Sequence, residues 1–373
     1  MKPPLIISKG EGEKMLRSYK YRIYPNKEQQ KKIEETLETC RRLYNDFLYE
    51  RKTMYEYDQT NITYSWQQDS LPFRKKLNPY LQNIHSQVLQ DVARRIDKAF
   101  KNFFRRVRAG ETPGYPRFKG KGRYDSITYP QSGYKIEGNK LILSCFGSIK
   151  IKLHREIAGN IKTCSIIKKN GKYYACFSCE VESLPIASTG ETVGIDMGLT
   201  DFCITSEADF YPSPKSYRKA EKALKKAQRK VSRRKKGSNR RRKAVHELAV
   251  IHEKVANQRK DIAHKVANEL LKKYDIIAHE KLQIRNMVKN ENLSKSISDA
   301  GWGIFFKILA YKAESAGKLV LEVDPKNTSQ MCFSCGNIVK KKLSERWHDC
   351  PYCGYSEHRD VNAAKNILKK AVA

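Results

Sequence analysis

The chain's 373 residues carry 74 Lys and Arg against 40 Asp and Glu, a formal net charge of +34, with a hydrophobic fraction of 39%. That length holds two to four domains with sizeable cores, and so large an excess of one sign repels itself unless it faces a polyanion, for which nucleic acid is the leading candidate. No apolar run reaches the length of a spanning helix and no secretory signal pattern opens the chain, which argues against a membrane partner, while the ten cysteines include one well-spaced quartet that suits a reducing compartment and a metal better than a disulfide framework.

Residues 1–14 read as a flexible tail, or as an overlong start upstream of Met15. RSYKYRIY, Arg17 to Tyr24, alternates as a strand does and is closed by Pro25. Asn26 and Gln29 then form a capping-box pattern ahead of a helix with Ile33, Leu37, Cys40, Tyr44, Phe47 and Leu48 on one face. The basic opposite face, including Lys31 and Arg42, reads either as solvated surface or as a phosphate contact. A second helix is expected over residues 84–108, with Ile84, Val88, Val92 and Ile96 inward. Gln87, Gln90 and Arg94 share another face; Gln can read adenine and Arg guanine in a major groove, and the alternative is plain surface. The loop GETPGYPRFKGKGRYD interleaves Tyr115, Arg117, Phe118 and Lys119, a composition suited to base stacking beside phosphate contacts, or to an ordinary loop anchored by Phe118.

From Ser126 to Val181 short alternating strands are separated by turns at Glu137-Gly138-Asn139 and Lys169-Asn170-Gly171, which predicts a small antiparallel barrel or sandwich. Cys176 and Cys179 lie three apart on one strand, hence on opposite faces, and read as ordinary strand cysteines. In VGIDMGLTDF, Asp196 is expected in the middle of an apolar strand, where a charge is costly without a partner such as a metal ion. A long basic helical segment follows from Lys215 to about Lys273; its dense run, including Arg229, Arg233 and Arg234, favours a nucleic-acid channel over a merely solvated face. YDIIAH, Tyr274 to His279, is a second apolar strand with Glu280 at its end, followed by a helix over Trp302 to Ala316 and a strand over Lys318 to Val323.

Cys332 and Cys335 are separated by two residues, as are Cys350 and Cys353, with fourteen residues between the pairs. Two such knuckles supply four thiolates to one tetrahedral Zn²⁺, a closed and therefore structural site. In HRDVNAAKNIL, Asp360 caps or begins the last helix. With Asp196 and Glu280 it makes three carboxylates in a cationic chain, a set suited to two Mg²⁺ ions in phosphodiester cleavage.

GIDMGLTDF, HEKLQIRNM, DAGWGIFF, VDPKNTSQMCFSCG, CPYCG and RDVNAAKNIL, in that order, resemble the TnpB (OrfB) family of transposon-encoded proteins, and SYKYRIYPNKEQ, HSQVLQDVARRIDKAFKNFF and GYPRFK resemble its N-terminal half. The resemblance runs from Met15 over nearly the whole chain. It implies a multidomain α+β protein: a β-barrel (wedge-like) domain over residues 15–26 and 112–189, a helical recognition insertion over 27–111, a RuvC-like nuclease domain of RNase H-like fold over 190–329 and 356–373, and an inserted zinc ribbon over 330–355. It also implies an RNA-guided DNA endonuclease, related to the compact type V CRISPR effectors, of the prokaryotic cytoplasm and associated with the nucleoid. Its partners would be a guide RNA from the transposon end and target DNA cut beside a short motif, with Asp196, Glu280 and Asp360 catalytic on Mg²⁺ and Cys332, Cys335, Cys350 and Cys353 on zinc. His358 stands where many relatives carry an acidic residue. The other expectations are a transposase that itself joins strands and a non-cleaving RNA-guided regulator; loss of a carboxylate would mark the latter, and none is lost.

Overall fold

The computed structural model describes residues 14–182, 186–342 and 345–373, and the expected tail over residues 1–14 lies, Lys14 apart, outside them. The described chain divides into two compact units, residues 14–181 and 182–373.

The first unit opens with β1 (Lys14–Tyr24). The helices α1 (Lys27–Asp58), α2 (Tyr64–Asp69), α3 (Leu71–Leu77), α4 (Pro79–Gln82) and α5 (Ser86–Arg108) follow. The capping box forms as its sequence indicates: Asn26 Oδ1 accepts from Gln29 N at 2.8 Å and Gln29 Oε1 accepts from Asn26 N at 3.0 Å. The strands β2 (Ser126–Tyr129), β3 (Tyr134–Glu137), β4 (Lys140–Leu143), β5 (Gly147–Lys152), β6 (Asn160–Lys169) and β7 (Lys172–Glu182) join β1 in a seven-stranded sheet, in the order β2-β6-β7-β1-β5-β4-β3. The sheet curls until its two ends meet. The hydroxyl of Tyr129 on β2 donates to the Ser144 carbonyl beside β4 at 3.0 Å, and that of Tyr134 on β3 to the Ile161 carbonyl of β6 at 3.4 Å. One hydrophobic core, from Tyr21 and Phe177 on the strands to Phe47 and Leu89 on the helices, serves both the barrel and the helical stretch. On β7, Cys179 points into this core and Cys176 does not, as the strand period requires.

The second unit contains β8 (Thr192–Asp196), β9 (Asp201–Thr205), β10 (Phe210–Pro212), α6 (Ser216–Ser232), α7 (Asn239–Lys273), β11 (Ile276–Glu280), α8 (Ile284–Met287), α9 (Ser294–Ala300), α10 (Trp302–Ala316), β12 (Leu319–Val323), β13 (Trp347–Asp349), β14 (Ser356–His358) and α11 (Arg359–Val372). Its five-stranded sheet has the order β10-β9-β8-β11-β12. The β8–β9 and β9–β10 pairs are antiparallel, and β11 runs parallel to both β8 and β12.

Two expectations change. The basic segment from Lys215 is not one helical run: it breaks at residues 233–238, where Ser238 accepts from Arg241 N to start α7. The two arms pack antiparallel, burying Leu224, Ala227 and Val231 of α6 and Ala244 of α7. Asp196 ends β8 instead of lying in its middle, and residues 197–200 turn the chain into β9. Ending the strand there puts the carboxylate at the C-terminal end of the central strand, where burial still makes its charge costly.

The last helix lies directly on the first strand of this sheet. A Cβ on Gly194 would stand 2.0 Å from the Ala364 carbonyl oxygen and 2.8 Å from the Leu368 nitrogen, both in α11. No other residue type permits that approach. A methyl group there must push the helix off the sheet, so Gly194→Ala is expected to lower unfolding stability by about 3 kcal/mol in chemical denaturation. Gly303→Ala in α10, where the added carbon would meet only Ile284 Cδ1 at 3.4 Å, should leave it unchanged.

The segment entering this sheet is tied down by Asp275. Its carboxylate accepts from Ser188 Oγ at 2.5 Å, Gly190 N at 2.7 Å and Thr189 N at 2.8 Å, and pairs with the buried Lys318 ammonium at 3.1 Å. Burial alone would raise its pKa, but these partners outweigh burial and hold it at about 2. A carboxylate depressed in the folded state stabilises above its unfolded pKa and loses that contribution as the pH falls through the folded value. The expected result is that the urea midpoint of wild type, compared with Asp275→Asn, loses its advantage between about pH 4 and pH 2.

Candidate metal centres

The cysteine knuckles are built by local geometry. Each ends in a glycine of positive φ, Gly336 at 77° and Gly354 at 70°. The turn lets the Gly336 N–H donate to the Cys332 carbonyl at 2.9 Å and the Gly354 N–H to that of Cys350 at 3.0 Å. The thiols are thereby aimed at one point: Cys332 Sγ lies 3.7 Å from Cys353 Sγ and Cys335 Sγ 3.6 Å from Cys350 Sγ. Sulfurs on a tetrahedral zinc with 2.3 Å bonds stand about 3.8 Å apart, so the donor set fits the ion. Among the described residues this is the one group of His, Cys, Asp and Glu ligand atoms all within 4.8 Å of one another. Hydrogen bonding from the Asn337 amide holds the Cys335 thiol down at about 6, which favours the thiolate a metal needs. His348, two residues before Cys350, is buried, and its Nδ1 meets the Lys341 ammonium, so it stands outside the quartet.

The three carboxylates gather at the C-terminal ends of the adjacent inner strands β8 and β11. Asp196 ends β8; Glu280 ends β11, one register position beyond the His279–Ile195 pair; Asp360 is the second residue of α11, which lies on β8. His358 holds the N-cap position, so Asp360 does not cap the helix. Burial first, then the negative charges of Glu280 and Asp360, push Asp196 up to about 7. Burial raises Glu280 as well, against a hydrogen bond from Thr328 and the charge of Lys370. A buried Asp196 whose ionisation is opposed by two neighbouring acids belongs to an oxygen donor set that a hard cation would neutralise.

Neighbours hold these groups in place. His279 Nδ1 donates to the Glu280 carbonyl at 2.9 Å, and its ring stacks on Phe306 with centroids 4.0 Å apart. Arg359 Nε donates to Asp360 Oδ1 at 3.1 Å. Arg346, from the ribbon, places Nη1 3.7 Å from Asp360 Oδ2 and Nη2 3.4 Å from Thr200 Oγ1. The His358 ring packs against Phe210 and Trp347, with centroids 5.2 and 6.3 Å away. None of these supporting residues announces itself by spacing. Thr328 lies in the VDPKNTSQMCFSCG motif, which is the one local signal for it.

The basic and polar positions are scattered. Arg229, Arg233 and Arg234 are exposed at the end of α6 and in the turn after it. In the first unit Gln87 is already engaged: its Oε1 accepts from Gln131 N at 3.2 Å and Ser132 N at 2.9 Å. It therefore secures a turn, and its side-chain oxygen is not available to a base as expected. Arg94 is exposed and Gln90 half-buried. Arg117 is exposed, but Lys119 is fastened to α1 through its backbone, which donates to Asn45 Oδ1 at 2.8 Å and accepts from Arg41 Nη1 at 2.8 Å. Lys119, not the exposed Phe118, anchors the loop, because α1 offers a paired donor and acceptor there.

A family model described as a probable transposase (OrfB of IS605) matches residues 176–291, one described as the Cas12f1-like TNB domain matches 302–367, and a helix-turn-helix model matches 15–60. The chain is 31% identical to the putative RNA-guided DNA endonuclease InsQ of Escherichia coli over 95% of its length and 92% of that protein's. It is 30% identical to a putative RNA-guided DNA endonuclease of Streptomyces pristinaespiralis over 97% and 90% of the two chains. Its fold is like that of the mini-RNA-guided endonuclease CRISPR-Cas_phi3, with a TM-score of 0.50 at 10% identity, covering 97% of this chain and 93% of that one. These matches define a protein of the transposon-encoded class that shares its fold with compact CRISPR effectors. The chain belongs to the TnpB (OrfB) family.

One zinc per chain is the expected result of metal analysis on the purified protein, and Cys350→Ser should lose it. A removal of the metal that left the ribbon's proteolytic resistance unchanged would contradict a structural role.

Proposed function

We propose that the protein is an RNA-guided, Mg²⁺-dependent DNA endonuclease associated with a transposable element, cutting target DNA beside a short adjacent motif. The observation that carries this reading is the convergence of Asp196, Glu280 and Asp360 at one end of the inner strands of a mixed sheet, in a chain whose relatives are named RNA-guided DNA endonucleases. A sheet of three antiparallel strands followed by two parallel ones, with a helix laid on its first strand, supports an RNase H-like, RuvC-type domain.

In this reading the three carboxylates hold the catalytic cations. When bound, Mg²⁺ activates a water and stabilises the leaving oxygen of a phosphodiester. The chain's own groups do the rest. Recession of Asp196 at the end of β8 keeps its charge costly without a cation, which tunes the site for metal. Arg346 from the ribbon and Arg359 at the start of α11 hold Asp360 and put positive charge where a phosphate would arrive. The basic turn at residues 233–238 and the exposed Arg94 and Arg117 supply phosphate contacts for guide and target. The helical stretch over residues 27–111 would grasp the guide RNA and the motif-bearing duplex together with the barrel.

The test is a cleavage assay on protein purified with RNA from its own locus, against a plasmid library randomised beside a guide-matched target. Guide-dependent cutting in Mg²⁺, lost in EDTA, is expected, and Asp196→Ala should reduce it to background while RNA binding persists. Cutting that survives in Asp196→Ala would overturn the assignment of the site. Joined strand products from the purified protein would point instead to a transposase.

A further inference from the structure

The segment between β12 and the first knuckle, residues 324–333, bears on both metal centres. It is strapped to α11 by two asparagines that are wholly buried and one turn apart, Asn362 and Asn366. Asn366 Nδ2 donates to the Thr328 carbonyl at 2.9 Å and to that of Met331 at 2.6 Å. Asn362 Nδ2 donates to the Met331 carbonyl at 2.9 Å, and its Oδ1 accepts from Phe333 N at 3.0 Å. At the far end of the strap, Lys370 Nζ donates to the Asp324 carbonyl at 3.2 Å. The strap is thus registered, bond by bond, on the helix that carries Asp360.

The side chain this registration sets in place is that of Thr328, buried at 2% exposure. Its hydroxyl faces two acceptors, Glu280 Oε1 and the Pro325 carbonyl, the latter at 3.0 Å. A hydroxyl has one proton to give. The carboxylate is the charged acceptor, and a charge-assisted bond is about twice as strong as a neutral one, so the proton goes to Glu280. A carboxylate gripped at one oxygen turns less freely about its last bond, which leaves the second oxygen the more open to a cation. From behind, His279 fixes the Glu280 main chain; Thr328 fixes the functional end.

We propose that Thr328 is a positioning residue, which orients the Glu280 carboxylate for divalent-cation binding and is itself held in register by Asn366 on α11. The proposal rests on the reading of Glu280 as a metal ligand. It assigns the strap a second duty besides leading into the ribbon: it carries the seating of α11 to the carboxylate on β11.

The test uses Mn²⁺ as the probe, with the full-length chain freed of nucleic acid and free Mn²⁺ followed by electron paramagnetic resonance. Thr328→Val keeps the shape and removes the donor; it is expected to weaken Mn²⁺ binding by about 10–100-fold, with the melting temperature and zinc content unchanged. Thr328→Ser restores the hydroxyl and should stay close to wild type. In the RNA-loaded protein, Thr328→Val should raise the Mg²⁺ concentration for half-maximal cleavage in the same proportion. Should Thr328→Val melt early or lose zinc, Thr328→Ala, which adds no methyl group facing the carboxylate, carries the same comparison with Thr328→Ser. Mn²⁺ binding that survives loss of the hydroxyl but is lost in Glu280→Gln overturns the positioning role and leaves the ligand reading standing. Mn²⁺ binding unchanged in Glu280→Gln overturns the ligand reading, and the positioning role with it.

Discussion

The second unit turns on the absence of a side chain at Gly194. The strand β8 is apolar on either side of it, and any larger residue would fill the volume where the α11 backbone passes, 2.0 Å from the position of the missing Cβ. That contact fixes the height of α11 above the sheet, and so the place of Asp360 relative to Asp196. The two asparagines of the same helix then fix the strap, the strap presents Thr328, and Thr328 meets Glu280. Three carboxylates from distant parts of the sequence gather at one end of the sheet because one backbone-to-backbone contact allows it.

The electrostatics run against the chain's overall character. The chain carries a formal charge of +34, yet here burial, and then the charges of Glu280 and Asp360, push Asp196 up to about 7. Desolvation and the neighbouring negative charges oppose the charged form of Asp196, and a cation at this place would relieve both. The surrounding cations do not neutralise these acids fully: Arg359 and Arg346 pair with Asp360, Arg359 acts on Asp196 at longer range, and Lys370 acts on Glu280. An acidic hollow inside a basic surface suits a protein that must hold metal ions and a polyanion at once.

What could be read from the sequence follows the range of the interaction responsible. The cysteine quartet was legible because its ligands come in pairs with two residues between them, each pair shaped by its own turn. The capping box at Asn26 and the turn at Asn170-Gly171 were legible for the same reason, and so were the ends of α10, Trp302 and Ala316. The carboxylates were nameable one by one, but their meeting rests on parallel pairing and on Gly194, which no local pattern encodes. The break between α6 and α7 had a signal, Gly237 before Ser238, that the density of basic residues obscured. Gln87 looked like a reader of bases because its partners, the amides of residues 131 and 132, lie far along the chain. Thr328, Asn362 and Asn366 sat inside quoted motifs without a role, since buried hydrogen bonds between a loop and a helix leave no periodic trace.

The contact at Gly194 also sets an order of events during synthesis. The strand β8 leaves the ribosome long before α11 is made, and until then the groove over Gly194 has nothing to fill it. The sheet must wait with an open apolar face, a period in which a chaperone has something to hold. Asp360 arrives only with that late helix. A chain made only as far as β12 has two of the three acids; the third comes with the helix that covers β8.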